Sequence, residues 1–372
     1  MGSMKAIGAL ALVALCLLPG TGFAQDWPLW RHYADGFIQK DGRTIDHASA
    51  DATTSEGQAY SLFFALVDGD RATFDRVLAW TQNNLAGGDL SARLPAWRWG
   101  RRKDGSWGVL DENAASDADM WLAYALLEAG RLWQVDRYDA LGQLVLARIG
   151  KEEIADIKGL GPMLIPGPKG FSEGGTWRLN PSYFPLMQLR RFSAYDRTWG
   201  KIAVTALKTI EAASPHRLVP DWIAYREGAG FSVDPVKGDE GSYDAIRVYL
   251  WAGMLDGREK LKAPLLKAIG AMKVEVDKNL VPPLRVHAAS GKAEGSGPPG
   301  FTAALLPYLD ALKEKRLLAL QQDRMRASRF GALVGADPKY YDQVLSMFGE
   351  GWIEGRFRFD DSGHLLPAWK KP

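Results

Sequence analysis

Apolar positions recur at helical spacing along most of this chain, in two alternating kinds of segment. In the first kind nearly every position is apolar: SEGQAYSLFFAL from Ser55, SDADMWLAYALLEAG from Ser116 and SYDAIRVYLWAG from Ser242, with related stretches from Ser182, near Gly300 (PPGFTAALLPYL) and near Lys339 (PKYYDQVLSMF). The second kind is amphipathic and more charged, at 70–86, 135–151, 195–213, 257–279 and 310–330, with 28–39 ahead of the first apolar segment. A helix apolar all round belongs inside a protein, whereas one with a charged face lies outside. The apolar starts return about every 60 residues, the last one sooner, which is the mark of a repeated supersecondary unit. The unit reads as a helix hairpin with one buried and one amphipathic partner. Six such pairs predict an all-α closed double ring; the spacing also suits an irregular bundle or an open solenoid. No run of alternating strands is evident.

Three of the apolar helices open alike, with a serine followed by a carboxylate: Ser55-Glu56, Ser116-Asp117 and Ser242-Tyr243-Asp244. Serine is a favoured N-cap, because its hydroxyl accepts a backbone N–H that the helix leaves unsatisfied. Each acid alone is explained by the helix dipole or, for Asp244, by an ion pair with Arg247 one turn on. Three equivalent positions in a repeat suggest instead that acids from three helix ends meet at one cavity. Asp117 and Asp119 lie on different faces, so one pairs structurally while the other faces that cavity.

Composition narrows the chemistry. The 372 residues include 14 Trp, 5 His and a single Cys, and the formal net charge is +2. Met1-Gly2-Ser3 reads as a cloning scar. Met4 and Lys5 then lead into AIGALALVALCLLPG, too short to span a bilayer comfortably, and Gly22-Phe23-Ala24 offers small residues for cleavage. Residues 1–24 are thus expected to be scar plus signal peptide, and 25–372 one domain, exported to the periplasm or beyond and free of the membrane after cleavage. Cys16 falls in the leader, so the mature chain has no thiol or disulfide chemistry. The near-neutral charge argues against nucleic acid, and the Arg98, Arg101, Arg102, Lys103 cluster reads as a solvated loop. The five histidines lack metal-ligand spacing, no phosphate-binding loop or nucleophile elbow occurs, and no cofactor is indicated.

Carboxylates remain. A helix N-terminus favours the ionised form, which suits Asp244 as a base and Asp117 as a fixed anion gripping sugar hydroxyls. Glu56 can hold a proton as the acid only where burial and a neighbouring charge outweigh the dipole. Asp117 is the candidate for that charge.

The segment ASDADMWLAYALLEAGRLW (115–133) closely resembles the signature of glycoside hydrolase family 8, SEGQAY its general-acid segment and SYDAIRVYLW its general-base segment. The likeness covers essentially the mature chain, with the motifs in family order. It implies an (α/α)6 barrel and inverting hydrolysis of β-1,4-linked glycans. It further implies Glu56 as general acid, Asp244 as general base and Asp117 as holder of the distorted sugar. Tyr243 and Arg247 resemble residues flanking the base, and Asn180 and Tyr183 a sugar-contacting pair. Tyr341 completes the site, and Trp97 and Trp177 resemble stacking platforms. GGTWRLNPSYFPLMQLRRF (174–192) and LPAWRWG (94–100) resemble the branch associated with bacterial cellulose synthase. That branch implies a monomeric periplasmic enzyme trimming a β-1,4-glucan (cellulose) chain, in functional association with a synthase complex. Chitosan, xylan and mixed-linkage glucan are alternative substrates within the family. A glycan-binding scaffold is the alternative outside catalysis.

Overall fold

The computed structural model describes residues 26–370; the expected scar and signal peptide, with Cys16, lie outside them. Helices α1 (Pro28–Phe37), α2 (Ser55–Asp68), α3 (Arg71–Leu85), α4 (Ser116–Trp133), α5 (Asp136–Glu152), α6 (Leu186–Phe192) and α7 (Thr198–Ala213) come from the first part of the chain. They are followed by α8 (Ile246–Gly253), α9 (Lys262–Ala268), α10 (Met272–Asn279), α11 (Pro299–Ala311), α12 (Lys315–Ala327) and α13 (Tyr340–Ile353).

The apolar segments become the inner helices. α2 is buried without a break from Gly57 to Val67, and α4 buries even its first-turn acids Asp117 and Asp119. By contrast α5 buries a single stripe, Tyr138, Gly142, Val145, Leu146 and Ile149, the spacing of one helical face. α2, α4, α6, α8, α11 and α13 follow one another around a ring, backed by α3 on α2, α5 on α4, α7 on α6, α9 on α8 and α12 on α11. The sixth outer place is filled by α1, which packs on α13 and α2, so the first helix completes the last hairpin. Aromatic side chains close the circle: the Phe348 ring of α13 lies 5.2 Å from Tyr60 and 4.6 Å from Phe64 of α2, and 5.1 Å from Trp251 of α8. Glycine sets how tightly the inner ring draws in. A Cβ on Gly349 would stand 1.9 Å from the Ala303 carbonyl oxygen, and one on Gly253 2.3 Å from the Pro307 carbonyl carbon.

This is the all-α double ring expected from the repeat, with four local differences. First, sixteen short strands are present among the described residues, in six small sheets. They run two to five residues, too short to show alternation. Most fall in connections that enter inner helices, such as Thr53–Thr54 before α2, Trp107–Asp111 before α4 and Glu240–Gly241 before α8. They thicken the rim where the acids lie. Arg98 and Arg101 belong to one of these hairpins rather than to a loop; Arg43 anchors it, its guanidinium 4.5 Å and 4.6 Å from the Trp99 and Trp107 ring centres.

Second, no long helix starts at Ser182. Residues 181–183 make one 3-10 turn, and α6 waits until Leu186; Pro185 disfavours helical backbone at Phe184 and lacks an N–H. Third, 257–279 is two helices. The chain breaks at Gly270, which packs on Arg217, and Ala271 N–H turns to the Arg217 carbonyl. Fourth, the serines are not the caps. Thr54 caps α2, its Oγ1 accepting from Gly57 N–H at 3.1 Å. α4 has Ala115 at its cap position, and Ser242 hydroxyl donates to the Leu284 carbonyl instead.

Candidate active site

Three inner helices bring their leading acids to one cation. Arg247, in the first turn of α8 and 4% exposed, donates from Nη1 to Glu56 Oε2 at 3.0 Å and from Nη2 to Asp244 Oδ1 at 2.8 Å, with Asp117 Oδ2 3.6 Å away. Glu56 sits in the first turn of α2, Asp117 in the first turn of α4, and Asp244 in the turn just before α8. The expected simple i,i+3 pair of Asp244 and Arg247 is therefore one arm of a four-residue cluster. Since Glu56 and Asp244 bind the two terminal nitrogens of one planar guanidinium, their bonded oxygens are no more than about 8 Å apart. The side chains of Glu56 and Asp244 remain 21% and 29% exposed, against 7% for Asp117, so the first two open toward solvent.

The neighbours hold this geometry. Asn180 Nδ2 donates to Asp244 Oδ2 at 3.0 Å, so both Asp244 oxygens have a fixed donor. Asn180 Oδ1 in turn accepts from the Ser182 N–H and hydroxyl, and Arg247 Nη2 donates to Ser182 Oγ at 2.9 Å. Arg247 Nη1 also reaches Tyr341 Oη, whose hydroxyl donates to the Tyr243 carbonyl at 2.6 Å. The Tyr183 ring lies 5.9 Å from the Arg247 guanidinium carbon. Tyr243 itself is 52% exposed and packs edge-on against Phe301.

Two further supports carry no signal in the sequence. Ser182, expected only as the start of an apolar helix, tethers Arg247. Asp221 accepts from both Ser242 N–H and Ala245 N–H at 2.7 Å, so a residue from the strand side pins the turn that carries Asp244. Its Pro-Asp-Trp context carries no signal of that reach.

Burial and charge together decide which acid keeps a proton. Burial pushes Glu56 up to about 7; Arg247 opposes this, while Asp117 and Asp244 add to it. The helix dipole is thus outweighed at Glu56 as the sequence required. It is also outweighed at Asp117, contrary to the expected lowering: burial raises this carboxyl to about 6, with Asp244 adding and Arg247 opposing. One guanidinium facing three carboxyl groups cannot neutralise them all, and Glu56 has the buried Tyr60, Tyr340 and Tyr341 as neighbours.

The flanking aromatics divide. The Trp97 carbonyl accepts from Ser55 N–H, which places this residue at the entrance to α2, and the Trp97 indole bonds the Asp111 carboxylate. Trp177 lies on a strand three residues before Asn180, and its indole N–H donates to Glu227, outside the acid cluster. Among the described residues, no group of three or more His, Cys, Asp or Glu side chains is placed to hold a metal ion.

Comparison with known proteins fits this geometry. The chain matches the profile of glycosyl hydrolases family 8 over residues 4–355. It is 46% identical to an endoglucanase of Xanthomonas axonopodis pv. citri (strain 306), covering 98% of this chain and 96% of the other, and 45% identical to an endoglucanase of Escherichia coli O157:H7, covering 92% and 91%. It superimposes on the crystal structure of endo-1,4-D-glucanase from Vibrio fischeri ES114 with a TM-score of 0.84, at 38% identity, covering 93% of this chain and all of that one. With the long signature around Asp117 and the acid cluster both in place, the chain belongs to glycosyl hydrolase family 8.

Proposed function

We propose that this protein is an inverting endo-β-1,4-glucanase acting on cellulose. The observation that carries the reading is the convergence of Glu56, Asp117 and Asp244 on Arg247. Glu56, still protonated near neutral pH, gives its proton to the glycosidic oxygen as the C–O bond breaks. Asp244, fixed by donors on both oxygens, takes a proton from the water that attacks the opposite face of the sugar. Inverting enzymes separate these groups by ~6.5–9.5 Å to admit that water, a range compatible with the ceiling that Arg247 imposes. Asp117 grips hydroxyls of the distorted sugar. Arg247, Asn180 and Tyr341 hold the acids in place, Tyr243 and Tyr183 flank the cleaved unit, and Trp97 and Trp177 offer apolar ring faces to neighbouring glucosyl units.

The relatives named endoglucanase support the substrate. The basic leader with its short apolar run supports periplasmic export, and among the described residues no helix is long and apolar enough to cross a membrane. We place the single 25–372 domain, as a monomer, in the trimming of nascent cellulose beside a synthase complex. Digestion of cello-oligosaccharides with anomer-resolved detection tests the core of this reading. The expected product is the α-anomer, released internally from the chain, with no turnover by Glu56→Gln despite retained oligosaccharide binding. β-anomeric products, or faster cleavage of chitosan or xylan than of carboxymethyl-cellulose, would overturn it.

A further inference from the structure

Behind the acid cluster lies a second pair of carboxyl groups that this reaction does not use. Asp119, in the first turn of α4 two residues after Asp117, and Glu153, just past the end of α5, are both fully buried. Their side chains face each other closely enough to couple, and none of their four oxygens has a donor among the described residues. Two carboxylates cannot bond to one another, because each only accepts; the contact requires a proton between them. Among the described residues no cation compensates the pair. The charged groups facing it are Asp117 from α4 and Glu152 from α5, both acidic, and Glu152 is engaged by Arg148 at 2.7 Å.

The backbone shows what the pair joins. Glu153 N–H donates to the Ile149 carbonyl at the end of α5, and the Glu153 carbonyl accepts from Ile165 N–H at 2.8 Å. The next residue's carbonyl, that of Pro166, accepts from Ser116 N–H at 3.0 Å, at the start of α4. Gly167 is pressed against the same place, since a Cβ there would stand 2.4 Å from the Ala114 carbonyl oxygen. The end of α5, the 165–167 segment and the start of α4 thus form one loop of contacts, and Asp119–Glu153 closes it across the turn that carries Asp117.

We propose that Asp119 and Glu153 share a proton and act together as a positioning pair, locking the first turn of α4 so that Asp117 is held toward the glucan. The proposal rests on the role assigned to Asp117 above. Burial raises both groups well above the usual carboxylate range, and Asp119 and Asp117 raise Glu153 further, so the pair holds its shared proton past the pH at which a free carboxyl gives it up. Such a group binds protons more tightly folded than unfolded. It therefore supports the fold at low pH and withdraws that support as pH rises above ~4.3, the unfolded value for Glu, through its folded value.

The test compares Glu153→Gln with Glu153→Ala by melting temperature against pH and by kcat and KM on cello-oligosaccharides. An amide can bond a carboxyl without a shared proton, so Glu153→Gln is expected to keep turnover close to the parent and to melt with a shallower fall as pH rises. Glu153→Ala leaves the turn untied; its kcat is expected to drop about tenfold or more with KM little changed, the scale on which small misplacements act. A Glu153→Gln melting curve parallel to the parent's across pH, or turnover as poor as that of Glu153→Ala, would overturn the pair. The melting arm stands without any glucan: if the parent cleaved no β-glucan, the functional reading would fail while the shared proton was still judged.

Discussion

At the scale of single residues, the site works by setting two kinds of carboxyl against one arginine. Glu56 retains its proton because it is recessed and because Asp117 and Asp244 repel a third charge. Asp117→Asn removes one of those charges, so the proton on Glu56 is lost at lower pH. The alkaline limb of kcat/KM against pH is expected to move to lower pH, beyond any drop in the maximum rate; an unmoved limb would show that Asp117 does not tune the acid. Asp221 offers a second test, because its one oxygen holds two backbone N–H groups of the Asp244 turn. Asp221→Asn keeps a carbonyl there and is expected to preserve most activity. Asp221→Ala frees both N–H groups and lets Asp244 drift, with an expected loss of about 10–100-fold in kcat. Steady-state rates on one soluble glucan compare the two variants directly.

At the scale of elements, periodicity revealed the helices and concealed how they begin. The apolar runs from Ser55 and Ser116 are the helices α2 and α4, because a continuously buried helix writes apolar residues on every face. Cap identity depends on where the preceding strand turns, and there Thr54, the end of a two-residue strand, supplies the oxygen instead of Ser55. Thr54→Ala should cost about 1 kcal/mol in denaturant unfolding, whereas Ser55→Ala, whose hydroxyl has no partner among the described residues, should cost less. The acids Glu56, Asp117 and Asp244 were legible because each sits in a motif beside a helix start. Asn180 and Arg247 were legible as motif neighbours. Asp221, Ser182 and Glu153 were not, since their roles depend on contacts such as Asp221–Ser242 and Glu153–Asp119, between segments that no local pattern relates.

At the scale of the whole molecule, the ring must be closed at the end away from the acids, and the chain does this with its last residues. The hairpin of Phe357–Phe359 and Leu365–Pro367 sends Phe357 and Phe359 into the aromatic centre, the former 5.4 Å from Phe63. Tyr124, two turns along α4 from Asp117, donates to the Gly363 carbonyl at 2.8 Å. One turn further, the fully buried Glu128 gathers Arg191 of α6 at 2.6 Å, Arg131 of its own helix at 2.5 Å and the Leu365 N–H at 2.8 Å. Donors from two helices and the hairpin thus converge on a single carboxylate, while Arg131 also donates to the Leu365 carbonyl and Arg191 to Tyr195 Oη. Removal of that carboxylate would take the countercharge from two guanidinium groups, one of them almost wholly buried, and one tie from the hairpin; breaking a buried pair from one side costs about 3–5 kcal/mol. Glu128→Ala is therefore expected to lower the melting temperature by more than any of the cap variants. Because Glu128 stands on α4 three turns from Asp117, the protein that remains folded well below its melting point should keep the parent KM and the parent pH profile. A variant that melted like the parent would mean that the aromatic packing and the remaining hydrogen bonds, such as Tyr124 to Gly363, hold the hairpin without Glu128.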